Sequence, residues 1–361
     1  MLLTTIIRYA IFSMLIASIL VWPAPSHAAQ SKAMSAAELA LYQGADRERV
    51  ILEGAKKEGQ VTFYTSNTWV EGPVSKEFEK KYPFVKTNVW RSDSKSLLKR
   101  LTEEVTAGRF IADVIETSPE YIAILMKENM LQEYLSPELK VYDDDAKVKG
   151  KTGVYAWTNR EIYISLGFNS KLIPPAEAPK SIKDYLDLKW KGKMSIAGTS
   201  TGVQWVGAVM EALGREFLEK VSTQDVNVQN ISGAALSGLV ASGEVPLSPT
   251  IFNSNIFTHK RDGAPVEWRP LDPVVAGVGT SGMVVNAPHP HATLLFLDYL
   301  HSKFGQEVAM KGGLSSARKD IGSLEQKFKK VYIESKYTPE EYEKKFTEWE
   351  MLMRRLFISK R

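Results

Sequence analysis

Residues 198–202 read Gly-Thr-Ser-Thr-Gly, and two chemistries fit that spacing. Glycines let backbone N–H groups approach an anion closely, and the hydroxyls of Thr199, Ser200 and Thr201 add donors ahead of Gly202. The same five residues match G-x-S-x-G, the turn that exposes a nucleophilic serine at the head of a helix. Asp272 and His289 even follow in the order a Ser-Asp-His triad takes. No His-Gly-Gly-Gly oxyanion loop precedes it, however, and close backbone approach to an anion accounts for the glycines without catalysis. The chain is therefore read as a binder, with a serine hydrolase as the alternative from another class and no catalytic residue assigned. Arg91 suits two-pronged recognition of a carboxylate or phosphate. Glu116 would pair with an ammonium. Ser66, Asn67, Ser92, Thr117, Tyr163 and Asn253 supply neutral hydrogen-bonding groups, and Trp69, Trp157 and Trp205 are candidates to wall a ligand. His289 and His291 flank Pro290, but a metal would need further ligands nearby. With no cysteine in the chain, disulfides, thiol catalysis and thiolate metal sites are excluded. No cofactor and no metal are expected.

The elements that must position these groups alternate between strand and helix. Residues 60–65 (Gln-Val-Thr-Phe-Tyr-Thr) are rich in β-branched and aromatic side chains and end at Ser66 and Asn67. A strand is expected at 85–90, ending near Arg91 and Ser92, and a third at 112–116, ending at Glu116 and Thr117. Between them, residues 94–107 place Leu97, Leu98, Leu101 and Val105 on one helical face. Helices are also expected at 45–58, 74–81 and 121–128. This β-α-β-α-β order predicts a parallel sheet with helices on both faces. A second block follows. It has strands at 162–169, 193–197, 245–251, 265–268 and 282–285, and helices at 203–213 and 288–302. Asn253 follows the strand at 245–251. The boundary between blocks falls near Tyr163, which is read with Phe168 as a hinge residue. Near the C-terminus, Thr338 and Glu341 form a helix cap, and Tyr342, Phe346, Trp349 and Met353 recur on one face, a stripe for packing on a lobe.

The N-terminus reads as an export signal. Arg8 precedes a short apolar run over 9–21, and Ser26-His27-Ala28 offers small residues for cleavage after Ala28. The run is shorter than the roughly 20 residues a membrane span needs. The expectation is a periplasmic protein with no stable membrane insertion once cleaved. The charge is balanced: 46 basic against 42 acidic side chains. Basic residues are dispersed along the chain, so no nucleic-acid partner is expected.

Seven segments, in order from Gly59 to Ile321, resemble the iron(III)-type, family 1 extracellular solute-binding proteins. They are 61–66, 112–114, 166–170 (Leu-Gly-Phe-Asn-Ser), 188–193 (Leu-Lys-Trp-Lys-Gly-Lys), 242–244 (Ser-Gly-Glu), 263–266 (Gly-Ala-Pro-Val), and 286–292, which continues to Ser302 and Gly305-Gln306. The resemblance implies an α/β, two-lobed type II periplasmic-binding fold. Each lobe would be a mixed sheet flanked by helices, and two hinge strands would join them. It places residues 29–163 in the N-terminal lobe with 284–313 returning to it, and 164–275 in the C-terminal lobe with 314–361 packed on it. It implies a monomer that closes on a small solute and delivers it to an inner-membrane ABC permease with its ATPase. It also makes His289, His291 and Asn169 structural and buries Trp190. A report to a sensor in place of a transporter is left open.

Iron is the first ligand to weigh. Ferric ion favours hard oxygen donors, above all phenolates. Iron-binding members carry an adjacent tyrosine pair where this chain has Asn253 and Ser254. Their glutamate after the third strand is Ser118 here, and their early histidine has no counterpart between Ser66 and Pro73. The expected solute is therefore a small anionic or zwitterionic organic molecule, with ferric iron or an iron chelate as the alternative. Its expected contacts are Ser66, Asn67, Arg91, Ser92, Glu116, Thr117, Tyr163, Thr199, Ser200, Thr201, Gly202 and Asn253, which lie at strand ends, where ligands of open α/β sheets bind.

Overall fold

The computed structural model describes residues 34–67, 73–321, 328–333 and 336–358. The leader, the expected cleavage after Ala28 and Trp69 lie outside the described residues. In chain order the first elements are α1 (Ala36–Ala40), α2 (Arg47–Glu58), β1 (Gln60–Thr65), α3 (Ser75–Lys81), β2 (Lys86–Arg91), α4 (Ser94–Thr106), β3 (Val114–Thr117), α5 (Pro119–Lys127), β4 (Leu131–Gln132) and β5 (Lys147–Lys149). The long β6 (Val154–Asn169) leads into β7 (Ser195–Ala197), α6 (Ser200–Leu213), α7 (Arg215–Ser222), β8 (Asn227–Gln229), α8 (Gly233–Ser242), β9 (Leu247–Phe252), α9 (Asn253–Arg261) and β10 (Val266–Arg269). The chain then returns through β11 (Val274–Val284), α10 (Pro290–His301), α11 (Lys303–Lys311), β12 (Lys330–Val331) and α12 (Pro339–Met353).

Two strands run through both lobes. In the first lobe, β1 pairs in parallel with β2 and β3, and β3 pairs antiparallel with the last residues of β11. There β6 holds β5 on its far edge. Further along, residues 164–169 of β6 pair with β9 on one edge and β10 on the other. β11 accompanies β6 from Ala156 to Ile164, with a register shift between Gly279 and Thr280. The lobes are thus joined by an antiparallel pair of continuous strands. Sequence periodicity predicted only the last part of β6 and of β11. The missed portion of β6 contains Thr158-Asn159-Arg160-Glu161, which has no apolar alternation because it crosses between two cores.

Alternation along β1 sets the two faces of the first lobe. Val61 and Phe63 face α2, α3 and α10, where Phe63, Phe78, Phe296 and Tyr299 pack together. Tyr64 faces α4 and α5, against Leu97, Leu101 and Ile122. Fully burying each such side chain stabilises the lobe by about 1.5–3 kcal/mol. In the second lobe, Leu166 and Phe168 of β6 pack with α6 and the C-terminal helix through Trp205, Trp349 and Met353. Ile251 and Val266 lie in a separate cluster with Leu236 and Val240 of α8.

The expected C-terminal cap is present: Thr338 and Glu341 exchange hydrogen bonds at 3.0 and 3.3 Å. The aromatic stripe packs α12 on α6, where Gly207 leaves room for the Trp349 ring. The expected helix at 203–213 starts three residues earlier, at Ser200, and that at 288–302 is α10, after which α11 follows unanticipated.

Candidate ligand cavity between the lobes

The crossing of the hinge strands is unusually polar. Glu116 on β3 is fully buried, and its Oε1 accepts from Arg160 Nε at 3.0 Å and from Nη2 at 2.9 Å. Thr65 Oγ1 donates to its other oxygen. On the opposite side of β6, Glu161 accepts from Lys330 Nζ at 2.7 Å, from Tyr332 OH at 2.5 Å and from the Tyr163 hydroxyl. Burial and the Glu161 charge both push the Tyr332 phenol up. These bonds pin the C-terminal segment to the hinge.

Beside Glu161 lies a cavity of about 780 Å³ lined by both lobes. This falls within the usual range for small-molecule sites. Its floor is Thr158 and Glu161 of β6 and Val278 and Thr280 of β11. The first lobe contributes Pro119, Glu120 and Ala123 from the start of α5, together with residues from 143–148 and 316–319. The second contributes Phe328, Lys330, Tyr332, Lys336 and Tyr337. Each of the four lining lysines has an acidic partner. Lys147 pairs with Asp144 at 3.3 Å, Lys330 with Glu161 at 2.7 Å, Lys319 with Asp143 and Lys336 with Glu211. Glu120 differs. Its Oε1 accepts from Ser118 Oγ at 2.6 Å, while Oε2 is buried and without a partner among the described residues. Loss of hydration raises the Glu120 carboxyl pKa.

None of the twelve strand-end and loop residues expected from the sequence lines this cavity. They fall into three groups. Ser66 and Ser92 meet through the ends of β1, β2 and β3: Ser66 N–H donates to Glu116 O at 3.1 Å and Ser92 N–H to Thr65 O at 3.2 Å. Asn67 N–H donates to Thr65 Oγ1 at 3.0 Å. Glu116 was expected to meet an ammonium; it is instead occupied by Arg160. Thr117 is buried, opposite Thr280 in the sheet. Arg91 is exposed at the end of an edge strand and makes no ion pair among the described residues.

The second group is Tyr163 and Asn253, joined by a bond of 2.9 Å from Tyr163 N–H to Asn253 Oδ1, while Asn253 Nδ2 donates to Ser315 Oγ at 3.4 Å. The third is the loop before α6. Thr199 makes no side-chain cap of that helix and Ser200 is exposed, which leaves the helix start open. Thr201 and Gly202, expected in the anion loop, are buried in the lobe. A Cβ on Gly202 would overlap the Ala197 carbonyl, so that glycine serves helix–strand packing.

The other expectations also resolve in packing. Trp157 is buried against Tyr142 and His301, and Trp205 lies in the second core, so neither walls a ligand. His289 Nδ1 lies 2.9 Å from Asp113 Oδ2 and His291 Nδ1 lies 2.6 Å from Glu58 Oε1, which ties the start of α10 to the first lobe. Asn169 Nδ2 donates to Val240 O at 3.0 Å, and Trp190 is buried, as the resemblance implied. Among the described residues no group of three or more His, Asp or Glu side chains is arranged to hold a metal. No described helix is long and apolar enough to cross a membrane.

A two-lobed α/β fold on continuous crossing strands defines a solute-binding architecture. Residues 61–315 match the family model of the bacterial extracellular solute-binding proteins, and the chain belongs to that family. It is accordingly a bacterial extracellular solute-binding protein. Similar solved structures share the fold. The substrate-binding protein of an ABC transporter from Agrobacterium tumefaciens is 15% identical with a TM-score of 0.67, covering 84% of this chain and 97% of that one. AfuA from Actinobacillus pleuropneumoniae, solved with fructose-6-phosphate, is 20% identical with a TM-score of 0.65, covering 83% and 99%. Iron-bound HitA from Pseudomonas aeruginosa is 19% identical with a TM-score of 0.61, covering 82% and 99%. No protein of curated function matches the sequence.

Proposed function

We propose that the chain is exported by a signal cleaved after Ala28 and captures a small zwitterionic organic solute in the cavity over the hinge strands. As a monomer it then hands the solute to an inner-membrane ABC permease and its ATPase. The observation that supports this reading is the cavity itself, whose walls come from both lobes and whose floor is both hinge strands. A solute touching both walls interacts differently with open and closed forms, and only such differential interaction can drive closure. A purely anionic solute fits less well, because every lysine of the cavity is already paired. The reading needs no covalent step. Ser200 has no histidine partner among the described residues, and His289 Nε2 is 3.0 Å from Gln60 Nε2 with its other nitrogen on Asp113.

A thermal-shift screen over amino acids, aminophosphonates, polyamines, carboxylates, sugar phosphates and ferric citrate tests the proposal, with small-angle scattering on each hit. The expected result is stabilisation by a zwitterion with a smaller radius of gyration. Stabilisation by ferric citrate alone would return the protein to the iron reading.

A further inference from the structure

Charge bookkeeping around the cavity identifies the chemical group the solute presents to it, an inference that rests on the cavity being the solute site. Four lysines line it and each faces an acid. The lining acids Asp143 and Glu161 are those taken up by Lys319 and Lys330. Two lining acids make no ion pair among the described residues: Glu120, whose Oε1 accepts from Ser118 while Oε2 is left over, and Asp145, which lies in the field of Lys319. Both belong to the first lobe: Glu120 in the first turn of α5, and Asp145 in the turn Asp144–Ala146 that precedes β5. The two lining acids outside these ion pairs therefore lie together on one wall.

The opposite wall is aromatic. Phe328, Tyr332 and Tyr337 come from the second lobe, and the faces of such rings attract cations. The Tyr332 hydroxyl is already committed to Glu161 and that of Tyr337 to Glu211, so these residues offer the cavity their rings more than their oxygens. Carboxylates on one side and rings on the other make a site for an organic ammonium. We infer that the solute presents an alkylammonium group held between Glu120 and Asp145 of the first lobe and the aromatic wall of the second. An ammonium placed there touches both lobes at once, so it supplies closing energy as well as selectivity. It also gives the orphaned Glu120 oxygen the partner it lacks. Burial raises the unliganded Glu120 carboxyl pKa and a bound cation would lower it, so binding is linked to proton release from this group.

Matched pairs of probes test this by titration calorimetry: 2-aminoethylphosphonate against ethylphosphonate, 4-aminobutyrate against butyrate, and putrescine against butanediol. The wild type is expected to prefer the amine of at least one pair by about tenfold or more. Glu120→Gln and Asp145→Asn, near-isosteric changes that keep the fold, are each expected to weaken that amine about tenfold and leave its nitrogen-free analogue unchanged. Binding heats in buffers of different ionisation enthalpy are expected to reveal proton release, lost in Glu120→Gln. Equal affinity for both members of every pair that binds, or variants within about twofold of wild type, would overturn the ammonium assignment and leave the solute-binding reading standing. A folded wild type that no probe of any class stabilises would count against the cavity as the solute site.

Discussion

Arg160 Nη2 and Nε both point at one oxygen of Glu116, at 2.9 and 3.0 Å, and Gly279 of the neighbouring β11 has no side chain to obstruct them. A Cβ at Gly279 would overlap both partners. The pair therefore fixes β3 against β6 at the point where the chain passes between lobes. Arg160→Met leaves Glu116 buried without its counter-ion, and unfolding in urea is expected to show a loss of about 3–5 kcal/mol. The double variant Arg160→Met with Glu116→Gln is expected to recover part of it, because the uncompensated charge is gone. A single variant within about 0.5 kcal/mol of wild type would mean that the pair has no such role.

The strand ends and the cavity make opposite demands on Arg91. A guanidinium at the solute would contribute a charge-assisted bond whose removal weakens binding about tenfold or more. In the fold Arg91 is exposed on an edge strand and outside the cavity lining. Arg91→Ala is accordingly expected to leave affinity for any solute found by screening within about twofold. A tenfold loss in calorimetry would move the site to the ends of β1, β2 and β3.

Ser200 distinguishes binder from hydrolase. The side chain is exposed at the first residue of α6 and no described histidine approaches it. Ser200→Ala is expected to change stability by no more than about 0.5 kcal/mol. Neither form is expected to hydrolyse p-nitrophenyl esters above the uncatalysed rate. Turnover that disappears in the variant would establish the enzyme.

The lobes were legible in the sequence because their strands alternate and their helices are amphipathic: residues 60–65 match β1 from end to end, and Leu97 and Leu101 face the core as their spacing predicts. Local chemistry also carried through, as in the Thr338–Glu341 cap and the structural role of Asn169. The cavity was not legible. Its lining runs from Pro119 to Tyr337 and is assembled by the return of the chain after α11, which no local spacing encodes. Glu116 misled for a related reason. A buried acid at a strand end has the same sequence signature whether it awaits a ligand or an arginine from a neighbouring strand. The one available signal was the charged Arg160-Glu161 doublet in the run that leads into an otherwise apolar strand.

His301 gives the first lobe a definite response to acid. The ring is fully buried, 4.3 Å from Trp157 at a right angle, with Nδ1 2.8 Å from Leu297 O. Burial, reinforced by the charge of Arg318, holds its pKa well below the usual imidazole value of about 6.5. The unfolded chain therefore binds a proton more readily than the folded one below that pH. Stability from this group is complete above about pH 6.5 and falls as the pH drops, by up to about 1.4 kcal/mol per unit. Asp113, Glu120 and Asp298 act in the opposite sense, since burial raises their carboxyl pKa values and protonation favours the fold. The raw pH profile of the wild type thus mixes both signs, and a difference measurement separates them. His301→Phe keeps a ring against Trp157 and removes the titration. Urea unfolding of both proteins between pH 7.5 and 5.5 is expected to show the wild type losing stability relative to the variant by about 1 kcal/mol or more over that interval. Parallel profiles would mean that the ring takes up its proton in the folded state as easily as in the unfolded one, and that burial does not hold it neutral.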